Sequence, residues 1–403
     1  MTLFVLAFAC GVALVGLAGM RARTMPLMSL STVAGVLVGL AISFIGLRPW
    51  MTQLGGPLSS QLFTALLAAA ACLVVVRNQV RLTPQHMWWL LLIAIAFLLS
   101  FRSEPGISLE AIVTALAVLV ATCIRVSVKG VMVGLLLAAY SMLFASLWFT
   151  TLQLGPRLSV LGENPIWIAR VAVLGTIACL FLFSTWRVRM LAAAPLVALL
   201  VLTGSRGPMF SLVAGGLAFT VSKSRRPAMP LIGFAILIVA TVLLAPVSVV
   251  DPVFGGSERV LSISLRLEIW KNTLDVWLAN PLMGTGESMD PNLLAGLVYP
   301  HNWILDLLAR SGLIGFGLIL VAAAIAVRRP AARPLQVALL AAMWFSLTSG
   351  SVWGNWEMWM LLALTFSSRH DPPPVQSAAR GGPSVITRTR ESVHVSRARN
   401  ASG

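Results

Sequence analysis

GVMVGLLLAAYSMLFASLWF (Gly130–Phe149) runs for twenty residues without a charge, about the length a helix needs to cross the hydrocarbon of a bilayer. Its apolar residues do not alternate with polar ones, so it reads as a helix and not as a barrel strand, the two structures that satisfy their own backbone in lipid. Comparable runs lie near 2–20, 27–47, 58–76, 87–101, 107–124, 166–184, 188–203, 208–222, 230–249, 302–327, 335–348 and 355–367. Together they predict an all-α, polytopic integral membrane protein of about 12–13 transmembrane helices. Composition agrees: 58% of the 403 residues are hydrophobic and 10% charged, with mean hydropathy +0.91. The first run lacks the basic residues that precede the apolar core of a cleaved signal, so it is counted as a span and the mature protein is expected to start near Met1.

The net charge of +16 would suit nucleic acid, but its distribution marks topology instead. Every second loop is basic: Arg21 and Arg23, Arg77 and Arg81, Arg125 and Lys129, Arg187 and Arg189, Lys223 with Arg225 and Arg226, then Arg328, Arg329 and Arg333. By the positive-inside rule these loops are cytoplasmic, which puts Thr203–Gly207 and the long loop 250–300 on the outer face. Residues 1–367 form the membrane domain. The remainder, 368–403, rich in Pro, Gly, Ser and Arg, reads as a disordered, basic, cytoplasmic tail, solvated in preference to lipid-held.

Cys10, Cys72, Cys123 and Cys179 each stand alone in a different span, so neither a disulfide framework nor a metal knot is indicated. There is no Walker A loop, HExxH, Gly-x-Ser-x-Gly or Asp-x-Asp. No metal and no cofactor are expected.

Chemistry concentrates in the loop 250–300, which holds six of the thirteen acids together with Arg259, Arg266 and Lys271. Within it, SLRLEIWKNTLDVWLAN (Ser264–Asn280) reads as an amphipathic helix along the membrane surface, capped by Ser264 and ended by Asn280-Pro281. Arg266 then falls in the first turn, with Trp270 one turn on. Gly284-Thr285-Gly286 follows as a turn whose amides can approach a ligand closely. At Tyr299-Pro300-His301-Asn302-Trp303 the next span opens, and a helix entrance attracts anions. His301 has the one side chain there whose ordinary pKa suits proton transfer near neutrality; capping the helix is its other reading.

Three pieces in order, LTGSRGPMFSLVAG (Leu202–Gly215), RLEIWKN leading to NPLMGTG, and PHNWILDLLARSGLIGFG (Pro300–Gly317), resemble the O-antigen ligase and polymerase superfamily of bacterial envelope glycosyltransferases. The likeness covers about 202–317. It implies transfer of a glycan from a polyprenyl diphosphate to an acceptor sugar, lipid A core or growing polysaccharide, on the outer face of the bacterial inner membrane, without metal or nucleotide. It places the functional arginines and histidine on Arg206, Arg266 and His301, with Arg170, Asn302, Gly284, Gly286 and Trp270 as substrate-binding residues. Arg310 stands where many relatives have an acid, and GENPIWIAR (Gly162–Arg170) only partly resembles the upstream segment. On chemistry alone, arginines can clamp the oxygens of a diphosphate leaving group and stabilise its growing charge, and an imidazole can take the proton of the attacking hydroxyl.

Ionisable groups in spans are costly and need a reading of their own. Arg170 either joins the clamp or snorkels to the headgroups; Asp306 and Arg310, four apart, are expected to pair; Glu357 is either an acceptor contact or part of an interfacial aromatic belt. A transporter would gather its groups near the midplane in two matching halves, whereas these cluster at one face. Ligation is preferred to polymerisation, which shares the donor chemistry.

Overall fold

The computed structural model describes residues 30–53, 70, 83–103, 109–152, 158–161, 164–223, 257–286, 294, 300–328, 332–348 and 351–368. The expected spans at 2–20 and 230–249, most of 58–76, and the tail from 369 lie outside them. In chain order the helices are α1 (Leu30–Ile42), α2 (Arg48–Gln53), α3 (Pro84–Ser100), α4 (Leu109–Cys123) and α5 (Val128–Trp148), then α6 (Pro165–Leu182), α7 (Trp186–Leu202) and α8 (Arg206–Lys223). They continue with α9 (Ser257–Ala279), α10 (Trp303–Val327), α11 (Arg333–Ser346) and α12 (Trp356–Ser367). A short antiparallel hairpin, Thr150–Leu152 with Leu158–Val160, links α5 to α6.

Among the described residues, α5, α6 and α10 are long and apolar enough to cross a membrane, and α1, α3 and α4 carry shorter apolar stretches. The fold is that of an all-α membrane protein. Helix starts follow from sequence. Ser127 accepts the Gly130 amide at 3.3 Å ahead of α5, and Asn164 accepts the Ile166 amide at 2.9 Å ahead of α6, with Pro165 at the first helical position.

Small residues set the closest crossing. Gly35 and Gly39 of α1 face Gly130 and Gly134 of α5 so tightly that a Cβ on Gly39 would lie 2.2 Å from the Val131 carbonyl, and one on Gly134 2.2 Å from that of Val36. Between helices in lipid, where water drives nothing together, such backbone approach supplies the packing energy. At the centre is α6, packed on α5, α7, α8 and α11, and its residues Ile168 to Cys179 are buried. The outward faces remain apolar and exposed, as at Leu191 and Leu202 of α7 and Leu320 and Val321 of α10.

Two expectations are revised. The amphipathic helix begins at Ser257, not at Ser264, because nothing between Gly256 and Asn280 interrupts a helix; Arg266 therefore lies in the third turn and Ser264 caps nothing. The span expected over 302–327 is broken at Gly312, which takes φ 63° and ψ −166°. The turn after α9 fills the break. The amides of Leu313 and Ile314 donate to the carbonyls of Pro281 and Leu282 at 2.9 and 3.1 Å, and those of Thr285 and Gly286 to the carbonyls of Ala309 and Arg310 at 2.8 Å each. The Leu313 and Ile314 amides and the Ala309 and Arg310 carbonyls at the kink thus meet partners, as lipid requires.

Candidate active site

α9 lies against α10, and Trp270 fixes the contact, its indole donating to the Pro300 carbonyl at 3.0 Å. That carbonyl immediately precedes His301. The histidine holds φ at 55°, a left-handed conformation that a non-glycine residue adopts at a cost of order 1–3 kcal/mol and that recurs at functional sites. It does not cap α10. Asn302 does, its side-chain oxygen accepting the amides of Ile304 and Leu305 at 3.1 and 3.3 Å.

Arg266 projects from α9 one turn before Trp270 and donates to the Thr348 carbonyl at 3.4 Å. The start of α8 reaches the same residue: a Cβ on Gly207 would meet the Thr348 hydroxyl at 1.9 Å. The Ser-Arg-Gly turn and the α9 arginine therefore converge on Thr348, with Arg206 exposed at the first position of α8.

Arg170 comes from the buried centre of the molecule. It is fully buried, 3.5 Å from Glu357 of α12, with its guanidinium 4.3 Å from the Trp167 ring centroid and 4.6 Å from that of Phe345. Trp167 in turn stacks on Trp356 at 5.0 Å. An arginine so enclosed acts on its surroundings through its charge. It does not snorkel to a headgroup.

The consequence appears at His301. Partial burial, then the charge of Arg266, then that of Arg170, push its pKa from 6.5 down to about 4. The imidazole expected from sequence to titrate near neutrality is held neutral throughout that range, as an acceptor of protons must be.

Other sequence assignments divide. Asp306 and Arg310 pair at 2.7 Å as expected, and Asp306 also accepts the Val352 amide at 2.7 Å, tying α10 to the segment before α12. The turn amides at 284–286 all donate within the chain, Gly284 to the Asn280 carbonyl at 2.7 Å and its two neighbours to α10. The two glycines serve close approach within the chain: a Cβ on Gly284 would stand 2.6 Å from the Ala309 and Arg310 carbonyls, and one on Gly286 would meet the Arg102 side chain. Sequence reasoning passed over Thr348, Phe345 and Arg102. Thr348 and Phe345 carry no local signal, whereas Arg102 was visible as a lone basic residue in its loop.

The arrangement brings the charges of Arg266 and Arg170 to bear on the His301 imidazole, with Arg206 on the turn that meets Thr348. Residues 191–320 match the family model described as O-antigen ligase. The match contains Arg206, Arg266 and His301 and leaves out Arg170. No curated protein matches the chain.

Proposed function

We propose that this chain moves a glycan from a polyprenyl diphosphate carrier to an acceptor sugar, of lipid A core or of a growing polysaccharide, at the outer face of the bacterial inner membrane, a reading supported by the match of residues 191–320 to the family model described as O-antigen ligase. The observation that carries the reading is that the stretch matched to the family model contains Arg206, Arg266 and His301, with His301 strained at the entrance of α10 and Arg266 one turn before the Trp270–Pro300 contact. Arg266 and Arg206 grip the diphosphate oxygens in the forked geometry that lysine lacks. The acceptor hydroxyl attacks the anomeric carbon as its proton passes to His301. A new carbon–oxygen bond forms there, the bond to the diphosphate breaks, and polyprenyl diphosphate leaves with the electron pair. Attack from the face opposite the leaving group inverts the centre, and arginine charge replaces a metal ion.

In this reading Arg170 tunes the site's potential, Trp270 and Asn302 hold the entrance of α10 in place, and Gly284 and Gly286 keep α9 close to α10. The test is a purified protein in nanodiscs given a defined polyprenyl-diphosphate glycan and a lipid A core acceptor, with products weighed by mass spectrometry. A single glycan joined to the core is expected. Chains lengthened on the carrier would assign polymerisation, and intact donor in the wild-type reaction would reject the reading. Chelator should leave turnover unchanged.

A further inference from the structure

Arg102 lies just beyond α3, remote in sequence from every residue of the site, and it holds the turn that joins α9 to α10. One guanidinium nitrogen donates to the Met283 carbonyl at 2.5 Å and to the Leu99 carbonyl at 3.3 Å, while the other donates to the Gly284 carbonyl. The next residue adds a backbone bond, from the Ser103 amide to the Gly286 carbonyl at 2.9 Å. The fit is close: a Cβ on Gly286 would stand 2.3 Å from the Arg102 side chain. The opposite edge of the same turn is the one bonded into the break at Gly312. The turn is therefore clasped between α3 and α10.

This clasp sits at the end of a lever. α9 runs without interruption from Ser257 to Ala279 and directly into the turn, so the clasp fixes its C-terminal end while the Trp270–Pro300 bond fixes its middle. Arg266 is one turn beyond that second point. With two fixed points, the axis of a rigid helix is defined, and with it the reach of Arg266 toward Thr348 and His301. Without the Arg102 side chain the turn keeps its backbone bonds to α10 and to Ser103 but is no longer gripped from α3, so the C-terminal end of α9 gains freedom to shift about the Trp270 contact. We infer that Arg102 is a positioning residue, which by clasping the 280–286 turn to the end of α3 sets where α9 holds Arg266 against His301. A planar fork suits the task because it spans two successive carbonyls, which an ammonium cannot do in fixed geometry. The inference rests on the transferase reading above.

Arg102→Ala and Arg102→Lys in the full chain, in nanodiscs, test it by three readouts. Hydrogen exchange at Thr285, Gly286, Leu313 and Ile314 should rise roughly tenfold or more in the alanine variant as the clasp opens. The distance distribution between spin labels on cysteines introduced at Lys271 and Gln53 should broaden. In steady state kcat should fall roughly ten- to a hundredfold while donor KM changes by less than about threefold, the signature of misplaced groups and not of a lost binding contact. Arg102→Lys should recover part of each, and it carries the comparison if the alanine variant fails to insert. Unchanged exchange and label distances in both variants overturn the clasp. An opened clasp with wild-type kcat overturns the positioning role. A wild-type protein that transfers nothing counts against the function alone, and exchange and label distances then decide the clasp.

Discussion

His301 combines strained backbone, partial burial and two neighbouring positive charges, which make it an unusual candidate for the proposed base. At a pKa of about 4 it is neutral at every ordinary pH, yet so weak a base offers little drive for proton transfer. Substrate resolves the conflict. In the proposed reaction a bound diphosphate would bring negative charge to Arg266 and Arg206, offset the field that disfavours the imidazolium, and raise the histidine's pKa when the proton must be accepted. The sign follows: the free protein loses its base form only as pH falls through about 4, so kcat/KM should hold down to about pH 5 and drop below it. The acid limb of kcat, which reports the complex, should lie at higher pH. Profiles from about pH 3.5 to 8 check this, and a kcat/KM limb near the ordinary value of 6.5 would remove the assigned field of the arginines. Substituting the residue separates its roles as well. Since Asn302 already caps α10, His301→Asn should lose about 10²–10⁴-fold in kcat, much like His301→Ala, with donor affinity retained. Arg266→Lys keeps the charge and loses the fork, and should cost on the order of tenfold to a hundredfold in kcat/KM at matched protein level.

At the scale of elements, the joint between the α9 turn and the broken α10 decides how the site is assembled. Gly312 is needed twice, for its φ of 63° and because a Cβ there would stand 2.2 Å from the Leu282 carbonyl. Gly312→Ala should therefore cost more than the roughly 1–3 kcal/mol of a residue held in this sparsely populated positive-φ region, read as a lowered thermal midpoint in detergent, whereas Gly317→Ala, with open space around it, should be close to neutral. This joint also shows what could be read from sequence. Helix ends at Asn280-Pro281 and near His301-Asn302 were legible because caps and prolines act locally. The break was not, since LARSGLIGFG (Leu308–Gly317) continues an apolar helical pattern and the carbonyls that satisfy its freed amides come from Pro281 and Leu282, some thirty residues earlier. Similarly, the Asp306–Arg310 pair follows from spacing, but the enclosure of Arg170 by Trp167, Phe345 and Glu357 depends on three helices meeting.

Across the whole molecule, described contacts pair with one another segments that the charge pattern puts on the same side of the membrane. Arg102 meets Gly284, Gly207 meets Thr348, Asp306 meets Val352, and Trp356 donates to the Ile42 carbonyl at 3.0 Å. None of these residues lies in a basic loop. Loop charge and tertiary contact are independent sources, one a rule of insertion and the other of packing, and here they divide the chain in the same way. The agreement makes sidedness testable without reference to chemistry. Cysteines introduced singly at Lys271 and Gln53 should react with a membrane-impermeant maleimide in cells whose outer membrane has been permeabilised, while one at Lys129 or Arg187 should react only after the inner membrane is opened. All four positions are exposed, so a failure to label reflects the bilayer and not burial. Labelling of Lys129→Cys before lysis, or protection of Lys271→Cys, would invert the topology and place His301 on the cytoplasmic side, where the proposed transfer at the outer face could not occur.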